Sequence, residues 1–268
     1  MVYACREIVP NQGRANMFRT FLVANSIQAA PPQFDGVIQR VAELYGSRVI
    51  RATVRSPEQL PNVPAAETTS PDESNPDGKP SRAKSVILAG DFLESVCDKG
   101  HEADAIVVWH DNLLGADGKA STEMIADLVR QAPRPIWLAR EPIRFPEHIV
   151  VAYDGSAHSG RALHMGANLA ETLGAKLTVL NVDESHDDVA QELILSRAAG
   201  YCEAYRITME RVGVFGTAAV AIRSFAESSH CDLLVLGAAG VGYLRGLLFG
   251  SVTGQIISSA PCSVLIAK

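Results

Sequence analysis

The chain has 268 residues, a formal net charge of −6 and 47% hydrophobic residues. That length is more than one compact domain usually needs and points to about two. The acidic balance, with a pI near 5.7, lacks the clustered basic face that nucleic-acid binding requires, so no nucleic-acid partner is expected. No apolar run reaches the ~18 residues of a membrane span, so no membrane association is expected. The first residues show no charged n-region followed by an apolar h-region, as a secretory leader would. The five cysteines, Cys5, Cys97, Cys202, Cys231 and Cys262, are scattered and never form C-x-x-C. They read as reduced thiols of a cytoplasmic protein, neither a disulfide frame nor a zinc site.

The sequence repeats itself at a constant offset of 128 residues: Thr20–Val54 overlies His148–Val182 without gaps, with 7 of 35 positions identical. At the same offset "ADAIVVW" overlies "CDLLVLG", and "APRPIWLAR" overlies "APCSVLIAK". Two copies of one fold are therefore expected, a first domain over 1–142 and a second over 143–268.

In chain order each copy begins with an apolar run, a turn, an amphipathic stretch ending at Gly46 or Gly174, and a second apolar run. In the second copy "IVVAY", "KLTVLNV", "DLLVLGA" and "SVLIA" are short, continuous apolar segments, as expected of parallel strands buried on both faces. Ser159–Leu173 and Ala218–Ser228 carry helical spacing between them. Alternation of strand and helix predicts an α/β architecture with parallel strands and right-handed crossovers. The copies differ in the middle. Arg55–Arg82 holds six prolines among Ser, Thr, Asp and Glu, which predicts a disordered loop over about 55–82. Its counterpart, Asp187–Tyr205, reads as a helix, with the acidic Ser185–Glu192 stretch capping its start rather than binding metal.

Function concentrates around "GAAGVGYLRGLLFGS" (Gly237–Ser251). In an open parallel sheet, ligands sit beyond the carboxyl ends of the strands at the topological switch point. Three stretches of the second copy meet there: the loop after the first strand with Asp154, the end of the second strand at Val182, and the glycine-rich stretch. A helix beginning at Ser251 offers free N–H groups and a positive dipole end to an anion. Gly237 and Gly240 would let the backbone approach a phosphate chain, with Ser251 or Thr253 adding hydroxyls. Asp154 could accept bonds from ribose hydroxyls, and Val182 could pack on a base. The order of the glycines is not G-x-G-x-x-G, and the P-loop lysine is missing, so both common nucleotide fingerprints fail. Asp154, Ser156 and His158 lie too close on one turn to form a hydrolytic triad, and the histidines show no paired metal-ligand spacing.

Gly237-x-x-Gly240, nine residues, then Gly250-Ser251, with Asp154 in "VAYDGS" and the closing "APCSVLIAK", resembles the nucleotide-binding signature of the universal stress protein family. The resemblance covers the whole second copy. It implies two tandem Rossmann-like domains of the adenine nucleotide α-hydrolase-like type, each a five-stranded parallel sheet sandwiched by helices. It also implies ATP, with or without Mg²⁺, held by Ala152, Asp154, Val182, Gly237, Gly240, Gly250, Ser251, Val252 and Thr253, and no catalytic or resident metal-binding residues. The first copy departs at each decisive position: Ser26 stands for Asp154, Trp109 for Gly237, Asn112 for Gly240 and Thr122-Glu123 for Gly250-Ser251. One nucleotide site is therefore expected, in a stress-adaptive regulatory protein rather than an enzyme. The alternative is a slow ATPase or nucleotide-dependent transferase. The family pairs domains along their final strands, so "PIWLAR" and "SVLIAK" are expected to pair antiparallel within the chain, near enough for cysteines at Leu138 and Ile266 to crosslink. A homodimer through other faces and an unidentified protein partner complete the expectations.

Overall fold

The computed structural model describes residues 17–26, 30–56, 68–70, 83–113, 121–238 and 251–268. Strands alternate with helices throughout. The first half contains β1 (Thr20–Asn25), α1 (Pro32–Tyr45), β2 (Arg48–Arg55), β3 (Thr68–Ser70) and β4 (Ala83–Ala89), followed by α2 (Phe92–Gly100), β5 (Ala105–Trp109), α3 (Thr122–Gln131) and β6 (Ile136–Ala139). The second contains β7 (His148–Ala152), α4 (Ala157–Leu173), β8 (Lys176–Asp183), α5 (Asp188–Cys202) and β9 (Met209–Phe215), followed by α6 (Ala218–Ser228), β10 (Leu233–Gly237), α7 (Ser251–Ser259) and β11 (Ser263–Ala267).

All eleven strands form one sheet in the order β3-β4-β2-β1-β5-β6-β11-β10-β7-β8-β9. The five strands of the second half are mutually parallel. So are β4, β2, β1, β5 and β6. The halves join where β6 meets β11, antiparallel, as the two apolar final runs suggest. In the register Leu138 faces Val264 and Ile266 faces Ile136, which leaves Leu138 and Ile266 diagonal neighbours across the joint. Trp137 faces Leu265, and these two positions are related by the 128-residue repeat itself. The local dyad passes through that pair.

Continuous apolar strands bury both faces, because each face is covered by helices. Phe21 and Val23 of β1 join one core with residues of α1, α4 and α5. Leu22 and Ala24 join the other, with residues of α2, α3, α6 and α7. Both cores run through the two halves without a break. At the joint the Tyr45 hydroxyl donates to Asn168 Oδ1 at 2.8 Å, tying α1 to α4.

The repeat extends to individual bonds. Asp104 Oδ2 accepts from Arg19 and Thr20 N–H, and its counterpart Asp232 Oδ2 accepts from Glu147 and His148 N–H. Gly46 and Gly174 end α1 and α4 at φ values of 65° and 69°, the left-handed geometry that favours glycine. Asp187 caps α5, accepting from Val189 and Ala190 N–H. Between β2 and β4 the described residues hold β3, antiparallel to β4, where the second half has α5. The proline-rich 55–82 stretch otherwise lies outside the described residues apart from Arg55 and Ser56. No helix among the described residues is long and apolar enough to cross a membrane.

Candidate functional site

The second half runs β7, β8, β9 in one direction and then returns to place β10 on the other side of β7. Its switch point lies between β7 and β10. Since these strands are parallel, the loops after Ala152 and after Gly237 leave the same edge. The crossover that carries α7 starts from that edge as well, which puts Ser251, Val252 and Thr253, its first turn, over the carboxyl ends of the strands. Val182 sits near the end of β8, half-buried, and Ala152 closes β7. The topology therefore gathers Ala152, Asp154, Val182, Gly237 and the start of α7 along one edge. Gly240 and Gly250 lie outside the described residues.

Asp154 is exposed, but it is not free to swing. Its Oδ1 accepts from the Ser156 N–H at 2.9 Å, and its own N–H donates to Ser159 Oγ at 3.3 Å. Ser156 in turn caps α4, accepting from Ser159 N–H. Partial burial pushes the Asp154 carboxyl up, yet hydrogen bonds with Ser159 and Ser156 outweigh it and hold the group below the ordinary carboxylate range. The result is an ionised acceptor aimed from the start of a helix.

Gly237 makes a close backbone approach, and its nearest partner is the chain itself. A Cβ at this position would lie 2.6 Å from the His158 carbonyl carbon and 2.9 Å from Ser159 N. The first turn of α4 therefore rests directly on the end of β10, joining the Asp154 loop to the entry of the glycine-rich stretch. In the same turn His158 Nδ1 is buried without a hydrogen-bond partner. Asn181, inside β8, donates from Nδ2 to Tyr153 O at 2.7 Å, and its Oδ1 is also buried and unpartnered. The sequence brings His158 forward only as a rejected triad member, and it does not single out Asn181. The asparagine in the middle of "LTVLNV" was the available signal. The first half also leaves Asn25 Oδ1 and Asn112 Nδ2 buried and unpartnered at its edge, so the ionised Asp154 carboxylate, not the orphaned atoms, distinguishes this edge.

The same edge of the first half is built differently. Ser26 Oγ donates to Asn112 Oδ1 at 2.8 Å, so the counterparts of Asp154 and Gly240 are bonded to one another. Trp109 is buried, its ring 5.9 Å from Phe34. Helix α1 begins only at Pro32, the counterpart of Gly160, three positions later than α4. Bulk at 109 and a later helix start go together, because a side chain there occupies the side on which Gly237 receives α4. Glu123 stands in the first turn of α3, where an anionic ligand would be repelled. Among the described residues no three His, Cys, Asp or Glu side chains converge to hold a metal.

Residues 146–268 match the Universal stress protein family. Over 133 residues the chain is 32% identical to the "Universal stress protein in QAH/OAS sulfhydrylase 3'region" of Thermus aquaticus, covering 45% of this chain and 97% of that protein. It is 26% identical over 178 residues to universal stress protein Slr1230 of Synechocystis, covering 66% of this chain and 58% of that one. A crystallised universal stress protein from Archaeoglobus fulgidus superposes over 94% of this chain and 96% of its own length, with a TM-score of 0.68 at 17% identity. The last likeness shows the fold alone.

Proposed function

We propose, from the premise that this chain belongs to the universal stress protein family, that its second half binds one adenine nucleotide, ATP with or without Mg²⁺, and that the bound nucleotide regulates contacts with a protein partner. The observation that carries this reading is Asp154: an exposed, ionised carboxylate fixed by Ser156 at the switch point, beside Gly237 and the start of α7. Asp154 would accept from the ribose hydroxyls and Val182 would pack on the base. Ala152 would line the floor. Gly237, Gly240, Gly250 and the first turn of α7, Ser251-Val252-Thr253, would surround the phosphates with backbone N–H groups. The first half would bind none, since Ser26 donates to Asn112 where the second half has Asp154 and Gly240 and Trp109 fills the strand end.

Calorimetry of the full chain with ATP and with adenosine tests the reading. A stoichiometry near one is expected, with Asp154→Ala weakening both ligands by about tenfold or more, as loss of a charged hydrogen-bond acceptor implies. Two equivalent sites would overturn the restriction to the second half. Unchanged adenosine affinity would remove Asp154 from the ribose. Incubation with ATP and Mg²⁺ separates the regulatory reading from the slow ATPase: sustained turnover would make the protein an enzyme. Association of two chains would use faces other than β6 and β11, which cover each other.

A further inference from the structure

Two cysteines far apart in sequence lie together in the second half. Cys231 precedes β10, Cys262 precedes β11, and these strands are neighbours, with Leu233 paired to Ser263. The two Sγ atoms are 3.8 Å apart, and both residues are buried. The first half has Ala103 and Arg134 at the equivalent positions, so the pair belongs to one copy only. Its location is particular: the 30 residues between the two cysteines comprise β10, the glycine-rich stretch and α7.

We propose that Cys231 and Cys262 are a redox modification site, oxidised by a hydroperoxide to a disulfide that ties off the base of this segment. The claim is independent of whether a nucleotide binds above it. The environment divides the labour between the two sulfurs. Cys262 is held below the usual thiol range by its hydrogen bond with Cys231, by the Leu234 N–H and by the Arg140 guanidinium, against burial and the Asp232 charge. Cys231 is raised by that same hydrogen bond and by burial. The other two described cysteines have no such partner, and burial raises both, Cys202 to about 11.

The chemistry balances. The Cys262 thiolate attacks the distal oxygen of the peroxide, the O–O bond breaks, and the departing alkoxide or hydroxide takes up a proton, leaving a sulfenic acid. The Cys231 sulfur then attacks the Cys262 sulfur, the S–O bond breaks, and the Cys231 proton leaves with the hydroxyl as water. Two thiols lose two electrons, and the peroxide is reduced to an alcohol, or water, plus water.

The test uses the full chain treated with millimolar hydrogen peroxide, then denatured, alkylated and digested. The expected product is about 2 Da lighter, with peptides bearing Cys231 and Cys262 joined, and is reversed by dithiothreitol. Its thermal midpoint should rise by several degrees, because a closed loop of this length restricts the unfolded chain. In Cys231→Ala, the residue the first half carries here, the bridge should be absent and dimedone should label Cys262. Cys231→Ser serves if the alanine variant does not fold. The proposal is overturned if both thiols remain alkylatable, if either pairs with another cysteine, or if Cys262 proceeds to sulfinic acid without a bridge.

Discussion

Arg140 and Lys268 hold the same position of the repeat, and each reaches across the central joint to the end of the opposite half's last helix. Arg140 Nη1 donates to Ala260 O at 2.6 Å and to Ile257 O at 3.4 Å, at the end of α7. Lys268 Nζ donates to Ala132 O and to Arg130 O at the end of α3. Carbonyls at a helix end have no partner of their own and carry the negative pole of the dipole. Each half therefore supplies the other's C-terminal cap.

Arg140→Ala should lower stability by about 1–3 kcal/mol, the cost of stripping partly buried carbonyls of a charged donor. Arg140→Lys should recover part of it, since an ammonium can reach one carbonyl but not the whole set. Urea unfolding of the three proteins reads this directly. Equal midpoints would mean that the carbonyls are satisfied by water.

His110 makes the joint sensitive to acid. Its Nε2 accepts from Arg140 Nη2 at 2.9 Å while Nδ1 faces Asp111 Oδ1 at 3.3 Å, an arrangement that requires the neutral ring. Burial first, then Arg140, lowers its pKa, and Asp111 opposes them. A base whose folded pKa is depressed contributes stability above its unfolded value, ~6.5, and loses it as the pH falls toward the folded one. The urea midpoint should therefore drop between pH 7.5 and 5, and His110→Gln should flatten that drop. A wild-type profile no steeper than the variant's would exclude His110 as the cause.

Two glycines should respond in opposite directions. Gly237→Ala forces a Cβ against the backbone of α4, for which overpacking costs about 1–3 kcal/mol. It should also weaken nucleotide binding by displacing the Asp154 loop. Gly200 lies within α5 with nothing in reach of an added Cβ, so Gly200→Ala should stabilise by about 0.5–1 kcal/mol. Thermal denaturation of both variants checks the signs.

Adenosine affinity should be insensitive to pH between 7.5 and 5. The Asp154 carboxyl sits below its ordinary range, so its charge persists there and is lost only as the pH falls through that lowered value. Adenosine has no phosphate to titrate, which keeps the readout on the protein. A loss centred above pH 5 would point to a histidine instead.

The repeat made much of this fold legible in advance: Gly46 and Gly174 mark two helix ends, and the apolar final runs mark the strands that join the halves. The exact pairing was not legible, because a one-dimensional pattern does not say where a dyad falls; it shows only in the register, where Trp137 faces Leu265. The site shows the same division. Asp154, Val182 and Gly237 announce themselves by type and spacing, whereas the serines that fix Asp154 and the helix that presses on Gly237 are set by tertiary approach. Sequence separation likewise hid the Cys231–Cys262 contact, which arises only because β10 and β11 are neighbours.

The pair at the dyad has a consequence for how such a chain can change. Where two identical subunits meet about a twofold, a residue on the axis must face its own twin, so every substitution there is made twice and in register. Here an indole faces an isobutyl group, a combination of unequal volumes that no symmetric pair could adopt. Fusion frees the axis from self-complementarity and makes its closure independent of protein concentration. One edge of the sheet could then lose its glycine and acquire a tryptophan without the other having to follow.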